Sequence, residues 1–131
     1  MDANLILLVD DDPDDRMLLK EAILEVDGRF LFEEAPDGRH GLNYLRSIPS
    51  PDQYPCLVVL DINMPILDGR EMLAILKSDP KLKFIPVVVF STSSNPSDIR
   101  YCKQFNVDLV TKPFDIAMLE KAAGKLVTYC N

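Results

Sequence analysis

The residues of this chain best suited to chemistry are polar side chains that each follow directly after a short apolar run. The runs are Leu5–Val9 before Asp10 and Asp11, Leu57–Leu60 before Asp61, Val87–Phe90 before Ser91, and Leu109–Thr111 before Lys112. Short and continuously apolar runs predict strands that are buried on both faces of a parallel sheet. Ligands bind such sheets beyond the carboxyl ends of the strands. These polar side chains are therefore expected to converge on one site.

The expected site combines three carboxylates with a lysine and a hydroxyl group. Asp10, Asp11 and Asp61 would repel one another in a partly desolvated cleft unless a cation offset their charge. Ligands that are all oxygen favour Mg2+, with Mn2+ as a substitute, over zinc. Lys112 is suited to stabilising a phosphoryl group over Asp61, and the Ser91 hydroxyl to binding one of its oxygens. The set predicts phosphoryl transfer to a carboxylate.

The acidic run of residues 10–15 also contains the start of a helix. Asp12 predicts an N-cap, the proline after it predicts the first helical residue, and Asp14 and Asp15 lie in the positive first turn. Helix capping and the helix dipole therefore explain the second half of the run. Only its first two carboxylates are left for the site.

Helical segments with clear start signals alternate with the strands. The predicted elements are helices from Pro13 to about Val26, from Asp37–Gly38 to before Pro49, from Asp68 with a Glu71 capping box to Asp79, from Asn95–Pro96 and from Asp115, and a further strand over Phe30–Glu34. A repeated alternation of strand and helix predicts an α/β fold with a parallel sheet. Residues 47–55 read as a proline-rich surface loop.

Composition limits the possible functions. A chain of 131 residues, 47% hydrophobic and 27% charged, predicts one globular domain over residues 1–131 with no output domain. The net charge of -7 argues against nucleic acid as a partner. No signal peptide or membrane-spanning run is visible near the N-terminus, so a cytoplasmic location without a membrane partner is expected. Cys56, Cys102 and Cys130 show no paired spacing and are expected to be reduced thiols.

At these residues the sequence resembles the CheY-like receiver domain of two-component response regulators. The matching segments are Leu8–Asp12, Val59–Pro65 with Asp68–Gly69, Pro86–Ser91 and Thr111–Phe114, in family order and over essentially the whole chain. The residues around Asp68–Glu71, Lys77–Pro80 and Ser91–Asn95 resemble single-domain regulators associated with phytochrome-type histidine kinases. The resemblance implies a three-layer, doubly wound, flavodoxin-like (βα)5 fold with strand order 2-1-3-4-5.

The resemblance also implies a role for each site residue. Asp61 would be the phosphoacceptor, while Asp11 would bind Mg2+ directly and Asp10 mainly through water. Asp61 and the backbone carbonyl of Asn63 would complete the protein ligands of the metal. Two further side chains, Ser91 and Lys112, would each bind a phosphoryl oxygen. In family members the peptide bond that corresponds to Lys112–Pro113 is typically cis.

The implied partners are proteins. The phosphoryl donor would be a sensor histidine kinase or a histidine phosphotransfer protein, and the signal would pass in trans to a downstream protein. A homodimer through the region from the fourth to the fifth helix is also implied. The chain departs from many receivers at Leu109, where they carry an aromatic residue that turns inward on activation. Activation would then shift the population of the face formed by the fourth helix, fifth strand and fifth helix.

Three alternatives remain open from sequence. The first is a degenerate pseudo-receiver that binds partners without phosphorylation. The second is an aspartyl-phosphate phosphatase of the haloacid-dehalogenase type, which needs a second acid where this chain has Asn63. The third is a flavodoxin-like FMN binder, although the acidic residues 10–15 would repel the phosphate group of FMN.

Overall fold

The computed structural model describes residues 2–93 and 95–131 of the chain. The strands are β1 (Asp2–Val9), β2 (Leu31–Ala35), β3 (Pro55–Leu60), β4 (Val87–Ser91) and β5 (Asp108–Thr111). The helices are α1 (Pro13–Val26), α2 (Gly38–Ser47), α3 (Gly69–Ser78), α4 (Pro96–Gln104) and α5 (Ile116–Val127), with single 3-10 turns at Pro51–Gln53 and Thr128–Cys130. The strands pair in parallel in the order β2-β1-β3-β4-β5. This confirms the predicted fold class and strand order.

The helices begin at the capping residues that the sequence predicted. The Asp12 carboxylate accepts hydrogen bonds from the backbone N–H groups of Asp14 and Asp15, at 2.9 and 3.3 Å. Asp68 and Glu71 form a capping box at the start of α3. These bonds satisfy N–H groups that have no partner inside the helix, so each cap fixes where its helix leaves the sheet.

The sheet separates two apolar layers because alternate strand residues point to opposite faces. On one face, Leu7 and Val9 pack with residues of α2, α3 and α4. On the other face, Ile6 and Leu8 pack with residues of α1 and α5. Every residue of β3 is buried, as its continuous apolar run predicted. The result is the three-layer arrangement that the resemblance implied.

A close backbone contact fixes the start of α3 beside the end of β3. The Gly69 N–H donates to the Ile62 carbonyl at 2.8 Å. A Cβ atom built on Gly69 would lie 2.1 Å from the Asp61 carbonyl oxygen and 2.7 Å from the Ile62 Cα. A side chain cannot occupy this space, so glycine allows α3 to pack directly on the backbone that carries Asp61.

One expectation about the cysteines is wrong. Cys56 and Cys130, expected as reduced thiols, form a disulfide whose Cα atoms are 5.1 Å apart. The two residues are 74 positions apart in sequence, and they meet because the 3-10 turn at Thr128–Cys130 packs against β3. No spacing rule reveals a contact of this kind. Cys102 is a free, buried thiol, as expected.

The expected cis peptide bond is also not found. Neither Lys112–Pro113 nor any other peptide bond within residues 2–93 and 95–131 is cis. Even before proline the trans form is favoured, by about 0.5–1 kcal/mol. The structure reaches the Lys112 contacts described below without the cis form.

The helices are short, and each buries only one of its faces against the sheet. The α1 helix has 14 residues, three of which are buried. Of the helices in the described part of the chain, none has both the length and the apolar character needed to cross a bilayer.

Candidate functional site

Backbone hydrogen bonds hold the predicted site residues at one edge of the sheet. The Asp10 N–H donates to the Ala35 carbonyl at 3.0 Å, and the Asp61 N–H donates to the Val9 carbonyl at 2.9 Å. On the other side of the sheet centre, the Lys112 N–H donates to the Ser91 carbonyl at 2.8 Å. The sheet ladder therefore continues one residue beyond β1, β3 and β5 and sets the position of each site residue.

The three predicted carboxylates meet. One carboxylate oxygen from each of Asp10, Asp11 and Asp61 lies within 4.8 Å of the other two. Asp10 and Asp61 are buried, at 8% and 7% exposure, while Asp11 is exposed. A set of hard oxygen donors that is open on one side fits Mg2+ or Mn2+, which retain water ligands. Asn63 is exposed two residues after Asp61, and the role of its carbonyl stays a prediction.

The Lys112 ammonium group joins these carboxylates. Its Nζ donates to Asp10 Oδ2 at 2.7 Å, to Asp15 Oδ2 at 2.9 Å and to Asp61 Oδ2 at 3.1 Å. Burial by itself would lower the pKa of Lys112, but its hydrogen bonds to Asp10 and Asp15 and the charge of Asp61 raise it above the usual value. Lys112 is therefore a fixed cation that offsets part of the negative charge of the site.

For the Asp10 carboxyl group, which neighbours Lys112, burial affects the pKa more than hydrogen bonding does. Desolvation raises the pKa of Asp10 above its ordinary value, although hydrogen bonds from Lys112 and from the Asp12 N–H act in the opposite direction. The charge of Asp61 contributes further to the rise. Bringing two carboxylates together in a buried place thus has an electrostatic cost that Lys112 offsets only in part.

Sequence reasoning missed two residues that belong to this site. The sequence predicts that Asp15 interacts with the helix dipole, and in the structure its carboxylate also pairs with Lys112. Arg16 donates from its guanidinium to the Asp10 carbonyl and from Nε to Glu34 Oε1 at 3.0 Å. Both lie in the first turn of α1, which begins directly after the acidic pair. Their closeness in sequence to Asp10 and Asp11 was the signal that could have identified them as site residues.

Ser91 lies at the end of β4 but does not bind the carboxylates. It is fully buried, and its hydroxyl oxygen accepts a hydrogen bond from the Ser93 N–H at 3.3 Å. The same register that pairs Ser91 with Thr111 places it next to the strand that leads into Lys112. The structure therefore brings together Asp10, Asp11, Asp61 and Lys112, and it leaves Ser91 on the adjacent strand without a hydrogen bond to them among the described residues.

A second polar network leads away from Ser91. The Ser93 hydroxyl donates to the buried Asp98 carboxylate on α4, and the Arg70 guanidinium of α3 lies 3.6 Å from the same carboxylate. Arg70 also stacks over the Tyr101 ring at 4.3 Å, and the Tyr101 hydroxyl donates to the Arg70 carbonyl at 2.8 Å. This network joins α3 and α4 to the residues after β4. Leu109, in place of an aromatic residue, is partly buried against the core on the same side of the sheet.

Comparison with proteins of known sequence identifies the family of this chain. Residues 6–124 match the protein family described as response regulator receiver domain. The probable methanogenesis regulatory protein FilR2 of Methanothrix harundinacea is 33% identical over 98% of this chain and 84% of its own length. Response regulator Rcp1 of Synechocystis sp. is 37% identical over 72% of this chain and 66% of its own length.

Two solved structures share the fold over nearly the whole chain. The phosphorylated cyanobacterial phytochrome response regulator RcpA is 37% identical with a TM-score of 0.83, over 93% of this chain and 89% of that one. The Mn2+-bound form of Rcp1 is 33% identical with a TM-score of 0.81, over 93% of this chain and 90% of that one. The chain therefore belongs to the receiver-domain family of two-component response regulators.

Proposed function

We propose that Asp61 is the phosphoacceptor of this receiver and that the donor is a phosphohistidine on a sensor histidine kinase or a histidine phosphotransfer protein. An Asp61 carboxylate oxygen attacks phosphorus and forms a new P–O bond. The bond between phosphorus and the imidazole nitrogen breaks, and its electron pair leaves with that nitrogen. The observation that carries the proposal is the Lys112 ammonium, 3.1 Å from Asp61 Oδ2 and buried beside it, where it would stabilise the negative phosphoryl oxygens.

Asp10, Asp11 and Asp61 would hold the divalent cation, with the Asn63 carbonyl as a further ligand. The proximity of the three carboxylates supports this assignment, as does the Mn2+ in the similar protein Rcp1. We infer that Mg2+ is the ion in use and that Mn2+ substitutes for it. When bound, the ion would neutralise charge on the transferred phosphoryl group.

The Ser91 hydroxyl is suited to bind a second phosphoryl oxygen. Its oxygen already accepts a hydrogen bond from the Ser93 N–H, and its own proton has no acceptor among the described residues. A movement of Ser91 toward the phosphoryl group would pull on Ser93 and change the bond between Ser93 and Asp98. Because Arg70 lies against the same carboxylate, the change would reach α3 and α4. This route does not need an aromatic residue at Leu109.

The signal would leave through the face formed by α4, β5 and α5. Three apolar side chains just before and in the first turn of α5 support a contact there: Phe114 is 99% exposed, Ile116 70% and Met118 52%. Exposed apolar patches mark sites of protein contact. We infer that a downstream protein or a second copy of the chain covers this patch. Light scattering tests the homodimer, because Ile116→Glu would lower its measured mass and Leu31→Glu, exposed on β2, would not.

The family is a signalling family, and we infer that the chain catalyses only its own phosphorylation and dephosphorylation. Asn63 supports this, because it cannot act as the second acid of an aspartyl-phosphate phosphatase. We place residues 1–131 in the cytoplasm as one receiver domain that acts in trans. Turnover of many phosphate esters in the presence of Mg2+ would contradict this part of the proposal.

The direct test is the intact mass of the protein after incubation with acetyl phosphate and Mg2+. Wild type is expected to gain the mass of one phosphoryl group, whereas Asp61→Asn and wild type with a chelator are not. The matched control is Asp52→Asn, at an exposed carboxylate in the proline-rich loop, which should gain the group as wild type does. Unchanged phosphorylation of Asp61→Asn would refute the assignment, and no gain in wild type with either acetyl phosphate or a phosphorylated kinase would favour a pseudo-receiver.

A further inference from the structure

All the hydrogen-bond donors of the Lys112 ammonium group are engaged by carboxylates. A protonated lysine has three donors. Its Nζ lies 2.7 Å from Asp10 Oδ2, 2.9 Å from Asp15 Oδ2 and 3.1 Å from Asp61 Oδ2. If Lys112 is to bind the phosphoryl group on Asp61, as proposed above, the ammonium must therefore give up one of these bonds.

The three carboxylates differ in how easily they can be replaced. The side chains of Asp10 and Asp61 are 12% and 10% exposed, whereas that of Asp15 is 37% exposed. A carboxylate that leaves its cation must be hydrated instead, which is costly in a buried place and easy near the surface. Asp61 carries the phosphoryl group itself and stays beside the ammonium. Asp15 is therefore the acceptor that a phosphoryl oxygen can replace at the lowest cost.

The position of Asp15 in α1 would stabilise its carboxylate after release. Asp15 is the third residue of α1, and its backbone N–H donates to the capping carboxylate of Asp12 at 3.3 Å. Negative charge is favoured in the first turn of a helix because the N–H groups there carry a partial positive charge. The Asp15 side chain can thus leave Lys112 for water while its backbone stays in place.

Asp15 also stands apart from the predicted metal ligands. The carboxylates that lie within 4.8 Å of one another are those of Asp10, Asp11 and Asp61. Asp15 is not one of them, and in the described part of the chain its side chain forms an ion pair only with Lys112. Its influence on the site therefore passes through the lysine.

We propose that Asp15 competes with the phosphoryl group for the Lys112 ammonium and so lowers the affinity of the site for that group. As the phosphoryl group forms on Asp61, one Lys112 hydrogen bond moves from Asp15 Oδ2 to a phosphoryl oxygen, and water takes its place on Asp15. No proton is transferred in this exchange. Asp15 is a positioning residue, and the inference rests on the proposed role of Asp61 as phosphoacceptor.

The test measures the binding of beryllium fluoride, which adds to a carboxylate as a mimic of the phosphoryl group. It is titrated into the full chain with Mg2+ present and followed through the backbone amide shifts of Asp61 and Lys112. Asp15→Asn is expected to bind it about two- to fivefold more tightly than wild type. This range corresponds to the loss of one competing ion pair that is partly exposed.

Two further variants separate the contact with Lys112 from the general charge of α1. Asp14→Asn removes the same charge from the same helical turn, but Asp14 is exposed and has no contact with Lys112 among the described residues. It should bind beryllium fluoride as wild type does. Asp15→Glu returns a carboxylate that can reach the lysine, so it should restore an affinity close to that of wild type.

A double-variant cycle tests whether Asp15 acts through the lysine. In a Lys112→Met background, Asp15→Asn should give no further gain in affinity, because the cation for which Asp15 competes is gone. A gain of two- to fivefold in that background would mean that Asp15 repels the bound group directly. That result would overturn the positioning role.

The same titration separates this inference from the function on which it rests. Absence of binding to wild type, or binding to Asp61→Asn as tight as to wild type, would refute the phosphoacceptor role and the inference with it. If wild type binds and Asp61→Asn does not, the inference alone is overturned by an Asp15→Asn affinity equal to or weaker than that of wild type. An equal gain in Asp14→Asn would overturn it as well.

Discussion

Lys112 is the residue on which the charge balance of the proposed phosphorylation site depends. Its ammonium contacts three carboxylates, two of which are buried. Such an arrangement gains little net stability from the ion pairs themselves, because all the groups lose water. Removing the lysine alone leaves the carboxylates without a cation, which is the costly change.

Lys112→Met is therefore expected to lower the free energy of unfolding by about 3 kcal/mol when measured with a chelator present. Mg2+ should restore more stability to this variant than to wild type, since a bound cation would offset the same carboxylates. Urea denaturation with and without Mg2+ measures both effects.

Lys121→Met is the control for that measurement. Lys121 is exposed on α5 and has no ion pair among the described residues, so its loss should change stability by less than about 0.5 kcal/mol. The interpretation of Lys112 would be wrong if the two variants lost equal stability, or if Mg2+ had no greater effect on Lys112→Met than on wild type.

At the scale of elements, the junction of β3 with α3 is the most tightly constrained. Gly69 is the first residue of α3 and faces the backbone of Asp61. Gly69→Ala would force the two elements apart and should destabilise the protein by about 1–3 kcal/mol. The displacement would also move Asp61, so phosphorylation by acetyl phosphate should become slower. Denaturation and intact mass measure the two consequences.

Gly124→Ala provides the matched comparison in α5. Among the described residues, a Cβ atom at Gly124 would meet nothing within 4 Å. The exchange should therefore stabilise the helix, by up to about 1 kcal/mol, because alanine loses less conformational freedom than glycine. If the two exchanges changed stability to a similar extent, the close contact at Gly69 would not be what excludes a side chain there.

The N-terminal cap of α2 makes the stability of the protein depend on pH. Asp37 is buried, and burial alone would raise its pKa, but hydrogen bonds from the His40 N–H at 2.9 Å and the His40 ring at 2.8 Å outweigh burial and lower it. A lowered pKa in the folded state contributes stability above the ordinary value of 3.8 that is lost as pH falls through the folded value.

Asp37→Asn should consequently be less stable than wild type at neutral pH, by about 1 kcal/mol, with the difference shrinking below pH 4. Chemical denaturation at a series of pH values measures this difference. A difference that stayed constant between neutral and acidic pH would contradict the role of the ionised carboxylate.

At the scale of the whole molecule, the Cys56–Cys130 bond ties the end of the described chain to the central sheet. It closes a loop across 74 positions, and the chain-entropy description gives such a loop a stabilisation of about 4 kcal/mol. Thiols in a cytoplasm are normally kept reduced. Reduction removes the stabilisation that the bond provides, so it should yield a folded but less stable protein.

Thermal unfolding with and without a reducing agent tests this effect. Wild type and Cys102→Ser should unfold at a lower temperature when reduced, whereas Cys130→Ser should show the same temperature in both conditions. A shift on reduction that persists in Cys130→Ser would indicate that the bond is not its source.

The sequence by itself determined the elements and the main site. Apolar runs and capping residues such as Asp12 and Asp68 act over a few positions, so their signals can be read locally. The convergence of Asp10, Asp61 and Lys112 followed because the carboxyl ends of parallel strands share one edge of the sheet.

Only the tertiary structure decided which of these residues touch and what else surrounds them. The pairing of Asp15 with Lys112 spans 97 positions, and the Cys56–Cys130 bond spans 74. The cavity between the α2–β3 and α3–β4 connections likewise exists only because these two segments lie side by side. Such contacts depend on distances between packed elements, which no local pattern encodes, and they are where this chain differs from what its motifs predicted.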